Sequence, residues 1–108
     1  MKDLFEFYGG DEERCGFILS DGEVIELKNV HVEPTSGFEI DPEDILRYID
    51  RIDSIWHTHP NSPSVLSGED KLCMEAWPQV THKIVGDDGI TTYKVINGAV
   101  LNENHLPR

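Results

Sequence analysis

One stretch of the chain restricts the fold more than any other: His57-Thr58-His59-Pro60, six residues, then Ser67-Gly68-Glu69-Asp70. Ser54 to His59 is short, β-prone and stopped by Pro60, which cannot continue a strand's hydrogen-bond ladder. Ser67 reads as a helix N-cap, and Asp70 three positions on completes a capping box with Asp in place of the usual Glu or Gln. A strand, a loop (Asn61 to Leu66) and a helix must therefore follow one another closely. Residues two apart on a strand face the same side, so His57 and His59 aim both imidazoles at one point. The short loop returns the Asp70 carboxylate to that point.

Two imidazoles and a carboxylate leave one of zinc's four tetrahedral positions open, which separates a catalytic zinc from a structural one. Water held there falls in pKa from about 15.7 toward about 7. On spacing alone, a two-His-one-carboxylate iron site also satisfies the pattern. Ser67 and Asp70 by themselves read as a helix cap, and the two roles are compatible.

The rest of the chain frames this motif. Its 108 residues predict one domain over 1–108. Nine basic against twenty-one acidic residues give a net charge of -12, which argues against nucleic acid and against an anionic membrane surface. No apolar run approaches the roughly 20 residues of a membrane span. Acids interrupt Met1-Lys2-Asp3-Leu4-Phe5-Glu6 where a signal peptide needs apolar residues, so the chain is expected in the cytoplasm. Cys15 and Cys73 are too few for a disulfide-built scaffold and read as free thiols.

Residues 3–8 allow at most a short helix, stopped by Gly9-Gly10. Cys15 to Leu19 is an apolar run, Asp21-Gly22 a hairpin turn, and Glu23–Leu27 with Val30–Val32 read as strand. Asp41-Pro42-Glu43-Asp44 starts a helix, with a capping Asp and Pro at the first helical position; Ile45, Leu46, Ile49 and Ile52 carry it to about Asp53. The helix opened by Ser67 runs to Pro78, with Leu72, Met74, Ala76 and Trp77 as apolar contacts. Val80–Val85, Thr91–Ile96 and Ala99–Leu101 are strands joined by turns at Asp87-Asp88-Gly89 and Asn97-Gly98, and Asn102–Arg108 is expected to fray. The sum is a mixed sheet with two helices, an α/β (α+β) sandwich.

His57-Thr58-His59-Pro60, six residues, Ser67, two residues and Asp70 resemble, without a gap, the metal motif of the JAMM/MPN+ (JAB-type) metalloproteases. Glu13-Arg14-Cys15-Gly16-Phe17-Ile18-Leu19 is similar to the segment where that family places a glutamate before a Cys-Gly and a buried strand. The Asp41–Asp44 helix start, and Cys73 and Trp77 after the aspartate, look most like the JAB domain of phage tail assembly proteins. The resemblance covers roughly residues 11 to 85. It implies a JAB/MPN-like sandwich layered like the cytidine deaminases, with one zinc per chain on His57, His59 and Asp70. It implies Glu13 as general base, Ser67 as oxyanion partner, and hydrolysis of a peptide or isopeptide bond. The implied partner is a polypeptide, a ubiquitin-like or phage tail protein. An assembly module that keeps the metal site but only binds is the second expectation. Only twelve residues precede Glu13, two of them Gly, so the family's leading helix is expected to be short or altered.

Without the resemblance Glu13 is one acid in a solvated run, with Glu12 as its competitor. His31, alternating with Val30 and Val32, is expected to face solvent or a polar pocket, and His82 and His105 carry weaker signals. Cys15 and Cys73 read as small buried residues, Trp56 and Trp77 as core or pocket wall.

Overall fold

The computed structural model describes residues 3–108; Met1 and Lys2, which open the acid-interrupted N-terminus, lie outside the described residues. Six strands form one mixed sheet: β1 (Cys15–Leu19), β2 (Val24–Leu27), β3 (Ile52–Thr58), β4 (Thr81–Gly86), β5 (Gly89–Ile96) and β6 (Ala99–Pro107). Their order across the sheet is β2-β1-β3-β4-β5-β6. Two short helices complete it, α1 (Pro42–Tyr48) and α2 (Gly68–Ala76), so the architecture is the expected α+β sandwich. Only β3 and β4 pair in parallel. Parallel neighbours need a crossover, and α2 supplies it.

Strand alternation divides the apolar residues between the two faces. Ile55, Phe17 and Cys15 pack with Ile45 and Tyr48 of α1 and with Trp77. Met74 of α2 lies against Ile84 and Tyr93. Trp56 points the other way, with Val85 and Ile90, beneath Leu4 and Phe7 of a 3-10 helix. That turn, Leu4–Phe7, is closed by Asp3 and Glu6 in a capping box. It is the short leading element expected before Glu13.

Three expectations are corrected. The helix begun at Asp41 ends at Tyr48; Ile49–Arg51 form a 3-10 turn, and Ile52 and Asp53 already belong to β3. Pairing of Ile52 with Leu19 and a Ser20 N–H bond to the Arg51 carbonyl (2.8 Å) claim these residues for the sheet. The helical stripe is narrower than its spacing suggests: Leu46 is 71% exposed, while Ile45 and Tyr48 pack inward. Val30–Val32 is not a strand. The Asn29 side chain accepts from His31 N and Glu39 N and donates to the Glu13 and Gly37 carbonyls, fixing a turn that competes with pairing. Asn102–Pro107 is not frayed but runs along β5, with Gly89 opposite Pro107. Asn97 (φ 53°) and Gly98 (φ 81°) are both left-handed, as a tight two-residue hairpin turn requires, and they set the register as far as Tyr93 opposite Asn102; an irregularity between Thr92 and Tyr93 shifts it by one residue from there to Gly89.

Among the described residues no helix is long and apolar enough to cross a membrane. At Gly16 the backbone lies close against both a neighbouring strand and a ring. A Cβ there would run into the Ile25 carbonyl and come within 2.9 Å of the Trp56 indole. Gly16→Ala is therefore expected to cost about 1–3 kcal/mol, the usual price of overpacking, read as a lower urea midpoint; an unchanged midpoint would refute this account of the glycine.

Candidate metal centre

The C-terminal end of β3 assembles four polar side chains from three separate segments. Cys15 stands opposite His57 in the β1–β3 register. The pairing continues past the strand end: Thr58 N–H donates to the Arg14 carbonyl (2.8 Å) and Arg14 N–H to Thr58 Oγ1 (2.9 Å). Glu13, one residue further, is thereby carried alongside the histidines. Its own N–H donates to the Pro34 carbonyl (2.8 Å), and its carbonyl accepts from Asn29. His59 lies one residue beyond β3, yet its N–H still reaches the Val85 carbonyl of β4 (2.8 Å), which keeps it on the strand's line.

Asp70 arrives from α2 through the predicted cap. Ser67 Oγ accepts from Asp70 N–H (3.1 Å), and Asp70 Oδ2 accepts from Ser67 N–H (3.0 Å). The same carboxylate sits 3.0 Å from His57 Nε2 through Oδ1 and 2.9 Å from His59 Nε2 through Oδ2. The two Nε2 atoms are 3.2 Å apart. One ligand atom from each of Glu13, His57, His59 and Asp70 lies within 4.8 Å of the others, and all four residues are buried.

This donor set suits a divalent cation. Two imidazole nitrogens face one another and one carboxylate; protonating both would crowd two N–H groups, and leaving both bare sets lone pair against lone pair. Glu13 Oε1 is buried with no hydrogen-bond partner among the described residues, a costly arrangement for a polar oxygen in isolation. Imidazole and carboxylate together match zinc and its neighbours in the first transition row.

Electrostatics separate the two carboxyls. Burial works to raise the Asp70 pKa, but hydrogen bonds from His57 and His59 outweigh it and hold the group well below the carboxylate range. Burial pushes Glu13 up to about 7, with the Asp70 and Glu69 charges adding to the rise against the opposing pull of His59. Burial lowers His57, against the pull of Asp70. His59 is raised: its hydrogen bonds to Asp70 and the Pro63 carbonyl overcome the burial that opposes them.

Neighbours set the ring orientations. Phe38 stacks on His57, with ring centroids 4.3 Å apart. His59 Nδ1 donates to the Pro63 carbonyl (3.0 Å), which fixes the proton on Nδ1 and makes Nε2, now 2.9 Å from Asp70, the nitrogen that would face a metal. Phe38 and the Pro63 carbonyl carried no sequence signal, because one works by ring contact and the other through main chain. Beside the cluster opens a cleft of about 450 Å³, lined by Glu13, Thr35, Ser36, His59, Val65 and Ser67 among others, with no Lys or Arg among them.

The remaining candidates fall outside the cluster. His31 is bound to Glu69 (2.8 Å) in an exposed polar contact, and His82 to the Trp77 carbonyl (2.9 Å). Burial pushes the Cys15 thiol up to about 12 and Cys73 up to about 11, so neither is a ready nucleophile. Glu12 is exposed, outside the cluster.

No family profile matches the chain. It is 29% identical over 93 residues to Desampylase of Haloferax volcanii, across 74% of this chain and 66% of that protein. It is 30% identical over 82 residues to the probable TtuB-protein conjugate cleaving protease of Thermus thermophilus, across 69% of this chain and 54% of that protein. The chain thus spans between about half and two thirds of the length of these curated relatives.

A divalent transition-metal ion supplied at a hundred times its Kd is expected to raise the unfolding free energy by about 2.7 kcal/mol. Chelation should reverse the gain and His59→Ala should abolish it, as measured by thermal unfolding with and without metal.

Proposed function

We propose that this chain is a zinc hydrolase of the JAMM/MPN+ kind that cleaves the peptide or isopeptide bond joining a ubiquitin-like polypeptide to its target. One zinc per chain is held by His57, His59 and Asp70. The observation that carries the reading is the buried Glu13 carboxylate, brought to the ligand cluster with one oxygen unpartnered among the described residues. A module that only binds has no need of a buried base beside an open metal position.

Zinc, when bound, polarises a carbonyl and makes water acidic near neutral pH. The protein's residues do the rest. Glu13, with its affinity for a proton raised by burial, takes one from the attacking water and passes it to the nitrogen of the leaving amine. Asp70, kept anionic by its two histidine partners, stays a ligand throughout. Ser67 Oγ accepts from Asp70 N–H, which leaves its hydroxyl hydrogen to donate to the oxygen that gains charge at the carbonyl. His59, fixed through Nδ1 by Pro63, keeps its Nε2 lone pair for the metal.

The substrate class draws on the relatives, one of which is named for cleaving protein conjugates and the other as a desampylase. Neither name speaks of tail assembly, so a conjugated polypeptide is preferred here to a phage tail protein. A cleft that carries the Glu13 carboxylate and no Lys or Arg suits a neutral or basic segment.

Glu13→Ala should retain about one zinc per chain and lose about 10²–10⁴-fold in turnover of a lysine-isopeptide substrate. Loss of the metal in the same variant would make Glu13 a ligand rather than a base, and iron in the purified protein would refute the zinc assignment. Ser67→Ala should lower kcat by about 10²–10³ and loosen the α2 cap by about 1 kcal/mol. A Glu13→Ala variant that still performs the protein's role in full would favour the binding module.

A further inference from the structure

We infer that Tyr93 and Ser64, which lie outside the ligand cluster, are positioning residues that set the tautomer and orientation of His59 through the loop between β3 and α2. This rests on the metal-centre reading above.

Every polar group of Ser64 is engaged. Its N–H donates to Asp88 Oδ1 (2.7 Å), its Oγ meets Thr91 Oγ1 (2.6 Å), and its carbonyl accepts from the Tyr93 hydroxyl (3.0 Å). Tyr93 Oη also accepts from Leu66 N–H (3.2 Å), so one phenol spans both sides of Val65. Thr91 is held in turn by His105 Nδ1 of β6 (2.9 Å). From below, Gly86 at the end of β4 lets the loop lie directly on the strand: a Cβ there would collide with Ser64 N, Pro63 C and the Ser62 carbonyl. Asp87 N–H binds that Ser62 carbonyl (2.9 Å).

The residue before Ser64 is Pro63, whose carbonyl accepts from His59 Nδ1. Its peptide unit therefore joins an immobilised serine to a metal ligand. A carbonyl can only accept, so wherever the loop stays in place Nδ1 carries the proton and Nε2 is the ligand nitrogen. Hydrogen-bond partners behind metal-bound histidines are worth about 10–100-fold in affinity. The β4–β5 hairpin and β6 thus reach the metal position without touching it.

The test uses the full chain as wild type, Tyr93→Phe and Ser64→Ala, titrated with cobalt(II) and followed by visible absorption. Imidazole N–H exchange with water is measured by NMR on the same samples. Tyr93→Phe keeps the ring that packs on Met74 and Ile84 and removes only the hydroxyl. It should weaken cobalt binding by about tenfold or more, alter the cobalt spectrum, and speed exchange at His59 Nδ1. Exchange at His82, which stands opposite Tyr93 in the β4–β5 pairing but is bound to the Trp77 carbonyl and not to this loop, should not change, because Phe keeps the neighbouring ring. Ser64→Ala, which loses the hydroxyl's contacts with Thr91 and Asp88 but keeps the carbonyl that binds Tyr93, should show the same pattern to a smaller degree. Wild-type affinity and His59 protection in both variants would overturn the inference. So would equal loss of protection at His59 and His82, which is general loosening. A wild-type chain that binds no cobalt or zinc overturns the metal reading and this inference together, whereas a binding wild type with unaltered variants overturns this one alone.

Discussion

Asp70 is the carboxylate on which the rest of the centre depends. One oxygen ties the first turn of α2 to Ser67 and faces His59, while the other faces His57. Helix start and cluster geometry are therefore one constraint. The negative charge that caps the helix also lowers the cost of burying two imidazoles, and the imidazoles keep that charge in place. A helix beginning one residue earlier or later would separate the cap from the cluster. The loop from Pro60 to Leu66 is correspondingly fixed at both ends and pinned in its middle.

The second requirement is that Glu13 arrive from a distant part of the chain. Sheet register meets it. Once Cys15 faces His57, the reciprocal bonds between Arg14 and Thr58 leave Glu13 little freedom. Gly16 makes this approach possible by giving Trp56 room on the opposite face. Burial on one face and polar chemistry on the other are thus linked through consecutive residues of a single strand.

Legibility in the sequence followed the range of the interaction. The cap at Ser67, the strand through His57, the helix start at Asp41 and the Asn97-Gly98 turn rest on contacts a few residues long, and their residue types announce them. Glu13 had no such signature; only its resemblance to a known pattern singled it out from neighbouring acids, because its burial depends on pairing with a strand far along the chain. Val30–Val32 misled for the opposite reason: β-branched residues were overruled by one asparagine side chain bonding to four main-chain groups. Asn102–Pro107 misled because a polar edge strand takes its order from the partner it pairs with, not from its own apolar period.

Gly86 changes what counts as part of the motif. It lies on β4, well after Asp70 in the sequence, yet the backbone of Ser62, Pro63 and Ser64 occupies the space any side chain there would fill. The heritable unit of the cluster is accordingly a pattern of polar side chains plus an absence of atoms elsewhere. Two chains with identical His, Asp and Glu spacing can differ in competence through this one position, and a search built on ligating residues alone would rank them as equals.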